Sequence, residues 1–222
     1  EAFTFVFQPL ARPGQPVIYN QGNLLDLTFN HLAIVGAAMV VATLVAVGLA
    51  ILVTRPFGAE FLPLSRSLAN IGQTFPPVAV LALAVPILGF GTAPTLVALF
   101  LYGLLPIFEN TLTGLTTLPP AITEAARGMG MTDRQRLMGV ELPLAFPVIL
   151  TGIRIVLVQN IGMATIAALI GGGGFGVFVF QGIGQTAMDL VLLGAVPTVA
   201  LAFAAAVVLD AFVEMVSVGG RK

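Results

Sequence analysis

Few residues in this 222-residue chain could make or break a covalent bond. Cysteine is absent, which removes thiolate nucleophiles, iron–sulfur ligands and Cys-based zinc sites. His31 is the single histidine, so neither a His-Glu-x-x-His metal site nor an intramembrane Ser–His pair can be assembled. The single lysine is Lys222, so the sequence holds no Gly-x-x-x-x-Gly-Lys phosphate loop and cannot hydrolyse ATP by that mechanism. Gly171-Gly-Gly-Gly174 looks like a phosphate cradle but follows an apolar run rather than a strand, and reads as a tight turn. No Gly-x-Gly-Asp pair or Gly-x-Ser-Gly nucleophile marks an intramembrane enzyme, so the sequence reads as a non-enzyme without cofactor or metal site. A formal net charge of −1 gives no basic field for nucleic acid.

What remains is recognition. The longest polar stretch is Pro119-Pro-Ala-Ile-Thr-Glu-Ala-Ala-Arg-Gly-Met-Gly-Met-Thr-Asp-Arg-Gln-Arg-Leu-Met-Gly-Val-Glu-Leu-Pro143. Two prolines suit the first turn of a helix, Ala121 to Gly128 continues it, and Gly128 and Gly130 break it. Thr132 with Gln135 forms a capping-box pattern that opens a second short helix, ending near Gly139. The spacing predicts a helix–turn–helix hairpin over 119–143. Ala125 and Ala126 give it a smooth face, and Glu124, Arg127, Arg134 and Arg136 supply charge. Such a piece is shaped to lie in a groove of another protein.

The elements that carry this hairpin are membrane spans. The chain is 58% hydrophobic and 9% charged, against about a quarter charged in a soluble domain. So few charges cannot cover a water-exposed surface, and the same figures exclude disorder. A span needs about 20 apolar residues. Apolar runs place five helices near 29–54, 67–88, 94–111, 145–170 and 190–212, with Arg154 embedded in the fourth, an all-α integral membrane architecture with a transmembrane domain over 29–216. Asn23 could cap an earlier start of the first helix. Pro76-Pro77 predicts a kinked or broken second span, and the glycine-rich 171–188 segment includes a short re-entrant helix near 175–182. The positive-inside bias puts Arg55, Arg66, Arg127, Arg134, Arg136, Arg221 and Lys222 in the cytoplasm and Arg12 outside. The hairpin and the 217–222 tail are then cytoplasmic, and the 1–28 segment is extracytoplasmic. A first residue other than methionine, with Phe3, Phe5, Val6 and Phe7 close behind it, fits either a cleaved signal peptide or a missing first helix.

Glu124-Ala125-Ala126, Gly130 and Val140-x-Leu142-Pro143 resemble the Glu-Ala-Ala-x3-Gly-x9-Ile-x-Leu-Pro signature of ABC importer permeases, with valine in place of isoleucine. Thr54-Arg-Pro56, Ile71-Gly-Gln-Thr-Phe-Pro-Pro-Val-Ala79, Leu101-Tyr-Gly-Leu-Leu-Pro106 and Asn160-Ile-Gly-Met-Ala-Thr165 are similar to the osmoprotectant permeases within that group. The resemblance spans about residues 25–215. It implies a methionine-importer-permease-like fold in an inner membrane and an alternating-access path for glycine betaine, choline or related quaternary ammonium solutes. It also implies that Glu124, Ala125, Ala126, Arg127, Gly128, Gly130, Leu142 and Pro143 form a coupling helix. That helix would dock on a separate ATPase dimer, which holds the ATP and Mg. A second permease copy or paralogue and an external substrate-binding protein complete the implied assembly.

Polar residues inside spans are functional candidates because hydrocarbon makes them costly. Gln73, Thr74, Gln159, Asn160 and Thr165 are candidates for the substrate path, with Phe75 and Met163 as an apolar constriction. Helix–helix hydrogen bonding is the competing role for the amides and hydroxyls. Arg154 is expected to snorkel to the inner surface or to pair with Glu109. His31 falls at the outer interface, while Asp189, Asp210 and Glu214 mark span ends. An importer for another small solute such as an amino acid, or a secondary transporter, is the alternative. The latter needs carboxylates deep in the spans, and the acidic residues here lie at span ends or in loops.

Overall fold

The computed structural model describes residues 24–219. The described residues form helices joined by short turns: α1 Leu24–Val53, a 3₁₀ turn Ala59–Phe61, α2 Leu62–Thr74, α3 Pro77–Leu88, α4 Thr92–Thr116, α5 Pro120–Gly128, α6 Asp133–Arg136, α7 Leu142–Met163, α8 Gly176–Gln185 and α9 Met188–Gly219. Four stretches are long and apolar enough to cross a membrane: Leu24–Val53, Thr92–Thr116, Asp133–Ile170 and Met188–Met215. The pair α2 and α3, sharply bent at its break, passes the same test jointly. Arg12, Asn23, Arg221 and Lys222, and the segments before Leu24 and after Gly219, lie outside the described residues.

Several boundaries differ from those expected. The first helix begins at Leu24, ahead of the expected 29 and where an early start after Asn23 would put it. The third span extends to Thr116 rather than 111, because Asn110 Nδ2, Thr111 Oγ1 and Thr116 Oγ1 each bond a carbonyl four residues back and lose little by staying helical. The last helix runs from Met188 to Gly219. The second arm of the hairpin does not stop near Gly139. A π-turn over Leu137–Glu141 joins α6 directly to α7, with Leu142 N–H donating to the Leu137 carbonyl. Pro143 explains the wide turn, since its ring would clash with the carbonyl of residue 139 in a regular α-helix.

The helices fall into two compact units. Among the described residues, one comprises 24–38, Pro76–Leu99 and Gln159–Ala205. Here Asn160, fully buried, donates from Nδ2 to the Leu99 carbonyl at 3.2 Å, and His31 Nε2 lies 2.9 Å from the Ile161 carbonyl. His31 is 1% exposed, its ring centroid 5.6 Å from that of Phe175. α7 tightens into a 3₁₀ stretch, Ala164–Ile170, and the 171–174 turn reverses the chain with positive φ at Gly171, Gly173 and Gly174. The short helix expected near 175–182 follows as α8.

The other unit comprises Met39–Phe75, Phe100–Val158 and 206–219. Leu115, Ala145 and Ile149 form a core cluster with Val47, Ile51, Leu142 and Ile153, so the C-terminal parts of α1 and α4 pack against the N-terminal half of α7. α2 runs antiparallel to α4. Arg66 meets Glu109 at 2.8 Å, Gln73 Nε2 donates to the Tyr102 carbonyl at 2.9 Å, and the Tyr102 hydroxyl donates to the Phe75 carbonyl. The bonds to the Tyr102 and Phe75 carbonyls have a common cause. Pro106 has no N–H for the Tyr102 carbonyl four residues before it, and Ala79 N–H goes to Pro76 rather than Phe75. The side chains of Gln73 and Tyr102 supply the donors that the prolines and the break withhold. Gly72 allows the approach, because a Cβ there would lie 2.1 Å from the Leu101 carbonyl oxygen.

Gly72→Val therefore forces α2 from α4 and lowers stability by about 2 kcal/mol or more. Gly36→Ala, where a Cβ meets nothing within 4 Å, leaves it unchanged or raised. Thermal unfolding of the two variants in detergent checks the pair.

Candidate functional site

The hairpin expected over 119–143 is present as two helical arms around a glycine turn. Pro120 sits at the start of α5 after an extended Pro119, as its fixed φ favours. At the other end, Met129 N–H bonds the Ala125 carbonyl, Gly130 N–H bonds Arg127 and Met131 N–H bonds Ala126. Gly130 has φ +79, a left-handed conformation open to glycine and strained for a β-branched side chain. Thr132 opens α6 with a reciprocal capping box to Gln135, as its spacing indicates.

Glu124, Ala125, Arg127 and Gly128 are exposed along α5, while Ala126 is buried. The two alanines do not share one smooth face. Neighbouring residues on an α-helix point about 100° apart, so one alanine packs inward and the other is presented. Met129 is 71% exposed at the tip and Met138 59% exposed on the second arm, giving the surface adaptable apolar contacts that the charge pattern had concealed. Leu142 is half-buried and Pro143 exposed where the arm passes into α7.

The centre of the site is Glu141, which sequence reasoning missed. It occupies the variable position of Val140-x-Leu142-Pro143. Its Oε2 accepts from Arg55 at 2.6 Å and its Oε1 from Arg136 Nε at 2.8 Å. Arg136 also reaches Asp133 at 2.8 Å. Glu141 and Arg136 side chains are each 7% exposed and Arg55 is 14% exposed, so two buried charges and a part-buried third meet at the base of the hairpin. Arg55 caps the end of α1 just before Pro56, and its guanidinium also donates to Thr54 Oγ1. The cluster thereby joins the second arm to a membrane helix 86 residues earlier in the chain. The available signal was positional: Arg55 and Glu141 both sit where an apolar run meets polar sequence.

Arg154 does not pair with Glu109. It meets Asp210 of α9 at 2.8 Å, and Glu109 is held by both Nε and Nη2 of Arg66. Asp210, expected only to mark a span end, is thus an ion-pair partner. α4 and α2 pack antiparallel with Glu109 level with Arg66, and this pairing was invisible to span-by-span reading.

The candidate path residues divide between the two units. Gln73, Thr74 and Phe75 end α2 in one, while Gln159, Asn160, Met163 and Thr165 belong to the other. Gln73 and Asn160 spend their amide donors on backbone carbonyls of neighbouring helices. Thr74 and Thr165 bond carbonyls of their own segments, and Gln159 Nε2 lies 3.6 Å from Met163 Sδ. The Phe75 ring is 46% exposed at the break.

Residues 42–218 match the family described as "Binding-protein-dependent transport system inner membrane component". The osmoprotectant import permease protein OsmY of Salmonella typhimurium is 46% identical over 178 residues, covering 80% of this chain and 75% of that protein. The choline transport system permease protein OpuBB of Bacillus subtilis is 42% identical over 184 residues, covering 82% and 83%. Among solved structures, the MetNI methionine ABC transporter in an inward-facing conformation aligns with a TM-score of 0.77 at 23% identity, over 87% of this chain and 95% of that one. An amino acid ABC transporter with histidines aligns with a TM-score of 0.70 at 16% identity, over 88% and 99%. At those identities the likeness is one of fold.

Removing Glu141 leaves Arg55 without its carboxylate partner and the buried Arg136 with only the exposed Asp133. Glu141→Ala is expected to cost about 3 kcal/mol or more, whereas Asp210→Asn, at a half-exposed pair, costs about 1 kcal/mol or less. Thermal unfolding and the rate of tryptic cleavage after Arg134 and Arg136 measure both.

Proposed function

The chain belongs to the family of binding-protein-dependent transport system inner membrane components, and on that premise we propose that it forms the transmembrane path of an importer for glycine betaine, choline or similar quaternary ammonium osmoprotectants. It is a multi-pass transport subunit. The names of its relatives, 42–46% identical over most of their length, support the substrate class. The sequence has no tryptophan and two tyrosines, which is little material for an aromatic cage around a cation. Selection of the solute then falls to an external binding protein, and the chain acts as conduit.

The observation that carries the mechanism is the 119–143 hairpin welded to α1 and continuous with α7. In the proposed cycle its exposed arm, with Glu124, Ala125, Arg127, Gly128 and the Gly130 turn, sits in a groove of a separate ATPase subunit. Ala126, Leu142 and Pro143 hold that arm in place. Nucleotide-driven closure of an ATPase dimer, with its ATP and Mg, pulls the hairpin, and the Arg55–Glu141–Arg136 cluster carries the displacement into the spans. A second permease, identical or similar, completes the path, which opens alternately to the two sides. The hairpin is cytoplasmic in this reading, and the segment before α1 faces outward. Gln73, Thr74, Phe75, Gln159, Asn160, Met163 and Thr165 are proposed to lie along the path.

Co-reconstitution with the ATPase and binding protein in liposomes tests this: glycine betaine should stimulate ATP hydrolysis and be taken up, and uptake without the ATPase contradicts the reading. Gly130→Val is expected to insert in the membrane normally yet hydrolyse ATP without uptake, because the turn geometry is lost. Undiminished transport by that variant removes the turn from the mechanism.

A further inference from the structure

α2 divides lengthwise into three faces. Ser65, Ala69 and Gly72, at i, i+4 and i+7, are buried. Leu64, Leu68, Ile71 and Phe75 form a second row, each 45–56% exposed. Arg66, Ser67, Asn70, Gln73 and Thr74, at i, i+1, i+4, i+7 and i+8, form a third row that is polar and exposed. A two-sided helix would suffice for a span packed on one side and wetted by lipid on the other. The third face therefore has a different neighbour.

That neighbour is not hydrocarbon. α2 belongs to the bent pair apolar enough to span, and Gly72 touches Leu101 of α4, about 14 Å along that spanning helix from its start. At this depth, polar side chains facing lipid are costly. Gln73 and Thr74 have backbone partners, whereas the side chains of Ser67 and Asn70 have no hydrogen-bond partner among the described residues. Arg66 is held by Glu109 through two nitrogens, at 2.8 and 3.2 Å, so the row has no net charge at that end. A neutral, hydrated row of hydroxyls and an amide lets a cation or zwitterion pass without holding it.

We propose that the Ser67–Asn70–Thr74 face of α2 lines the water-filled path and that Asn70 is its principal contact for a quaternary ammonium solute. The proposal rests on the importer reading, and extends the path to Ser67 and Asn70. The row Leu64, Leu68 and Ile71 faces lipid.

These 222 residues contain no cysteine, so single-cysteine variants of them can be read without background from this sequence. Ser67→Cys, Asn70→Cys, Thr74→Cys, Leu64→Cys, Leu68→Cys and Ile71→Cys are assembled with the ATPase and binding protein in membranes. They are treated with a trimethylammonium-ethyl methanethiosulfonate, which carries the same cationic group as the solute. Thiols on the polar row should react about tenfold or more faster than those on the Leu64 row, since apolar surroundings suppress the thiolate, and saturating glycine betaine with ATP should slow labelling at position 70. Equal rates on both rows, or oxidative cross-linking of Asn70→Cys between two copies without labelling, overturns the proposal. Uptake by the cysteine-free parent is measured alongside. Its absence counts against the importer reading, while its presence with the wrong labelling pattern counts against the α2 face alone.

Discussion

A carboxylate buried between two arginines holds this molecule's exposed hairpin to its membrane helices. Glu141 is fixed by Arg55 from the end of α1 and by Arg136 from the arm it follows, both within 2.8 Å. Burying these charges is costly in itself, and the cost is offset because each carboxylate oxygen has a guanidinium donor. Such a cluster tolerates little slack, since separating the charges in a dry setting is expensive. A push or pull on the hairpin is transmitted to α1 as well as to α7, with which the second arm is continuous. The π-turn at Leu137–Glu141 contributes by adding one residue before Pro143, which rotates the arm about 100° relative to α7 and sets the direction in which Glu141 projects.

The second constraint is the obligation to satisfy backbone groups away from water. Proline interrupts the helices at positions 76, 77 and 106, and side chains make good the loss. Gln73 takes up the Tyr102 carbonyl that Pro106 cannot serve, and Tyr102 takes up the Phe75 carbonyl at the break. This reciprocal lock keeps a broken helix in a defined place against α4. It also changes the meaning of an intramembrane amide. Gln73 and Asn160 have structural bonds in hand, so a role along the path falls first to neighbours whose side chains stay uncommitted.

The sequence announces its helices through apolar runs bounded by arginine, proline and glycine, and the broken span through Pro76-Pro77. The hairpin is legible for local reasons: the proline start, the Gly130 turn and the Thr132–Gln135 box are each complete within a few residues. Pairings across long sequence separation leave no such trace. Arg55 and Glu141 lie 86 residues apart, and the signature that flags the hairpin leaves the identity of residue 141 unspecified. Of the two roles expected for Arg154, snorkelling or pairing with Glu109, the pairing fails because Glu109 and Asp210 both lie near the ends of apolar runs and only helix packing distinguishes them. The end of the second arm was misplaced at Gly139 because glycine stops a helix only where a left-handed turn follows, and here Leu142 N–H bonds Leu137 instead.

The account stands on the hairpin being a cytosolic handle held by a separate motor subunit. Met129, 71% exposed at its tip, is the position to probe. With Met129→Cys as the only thiol on the chain, a membrane-impermeant maleimide should label inverted vesicles, spare intact right-side-out cells or spheroplasts, and be blocked once the ATPase subunit is bound. Labelling from the outer face, or labelling unaffected by the bound ATPase, contradicts the account.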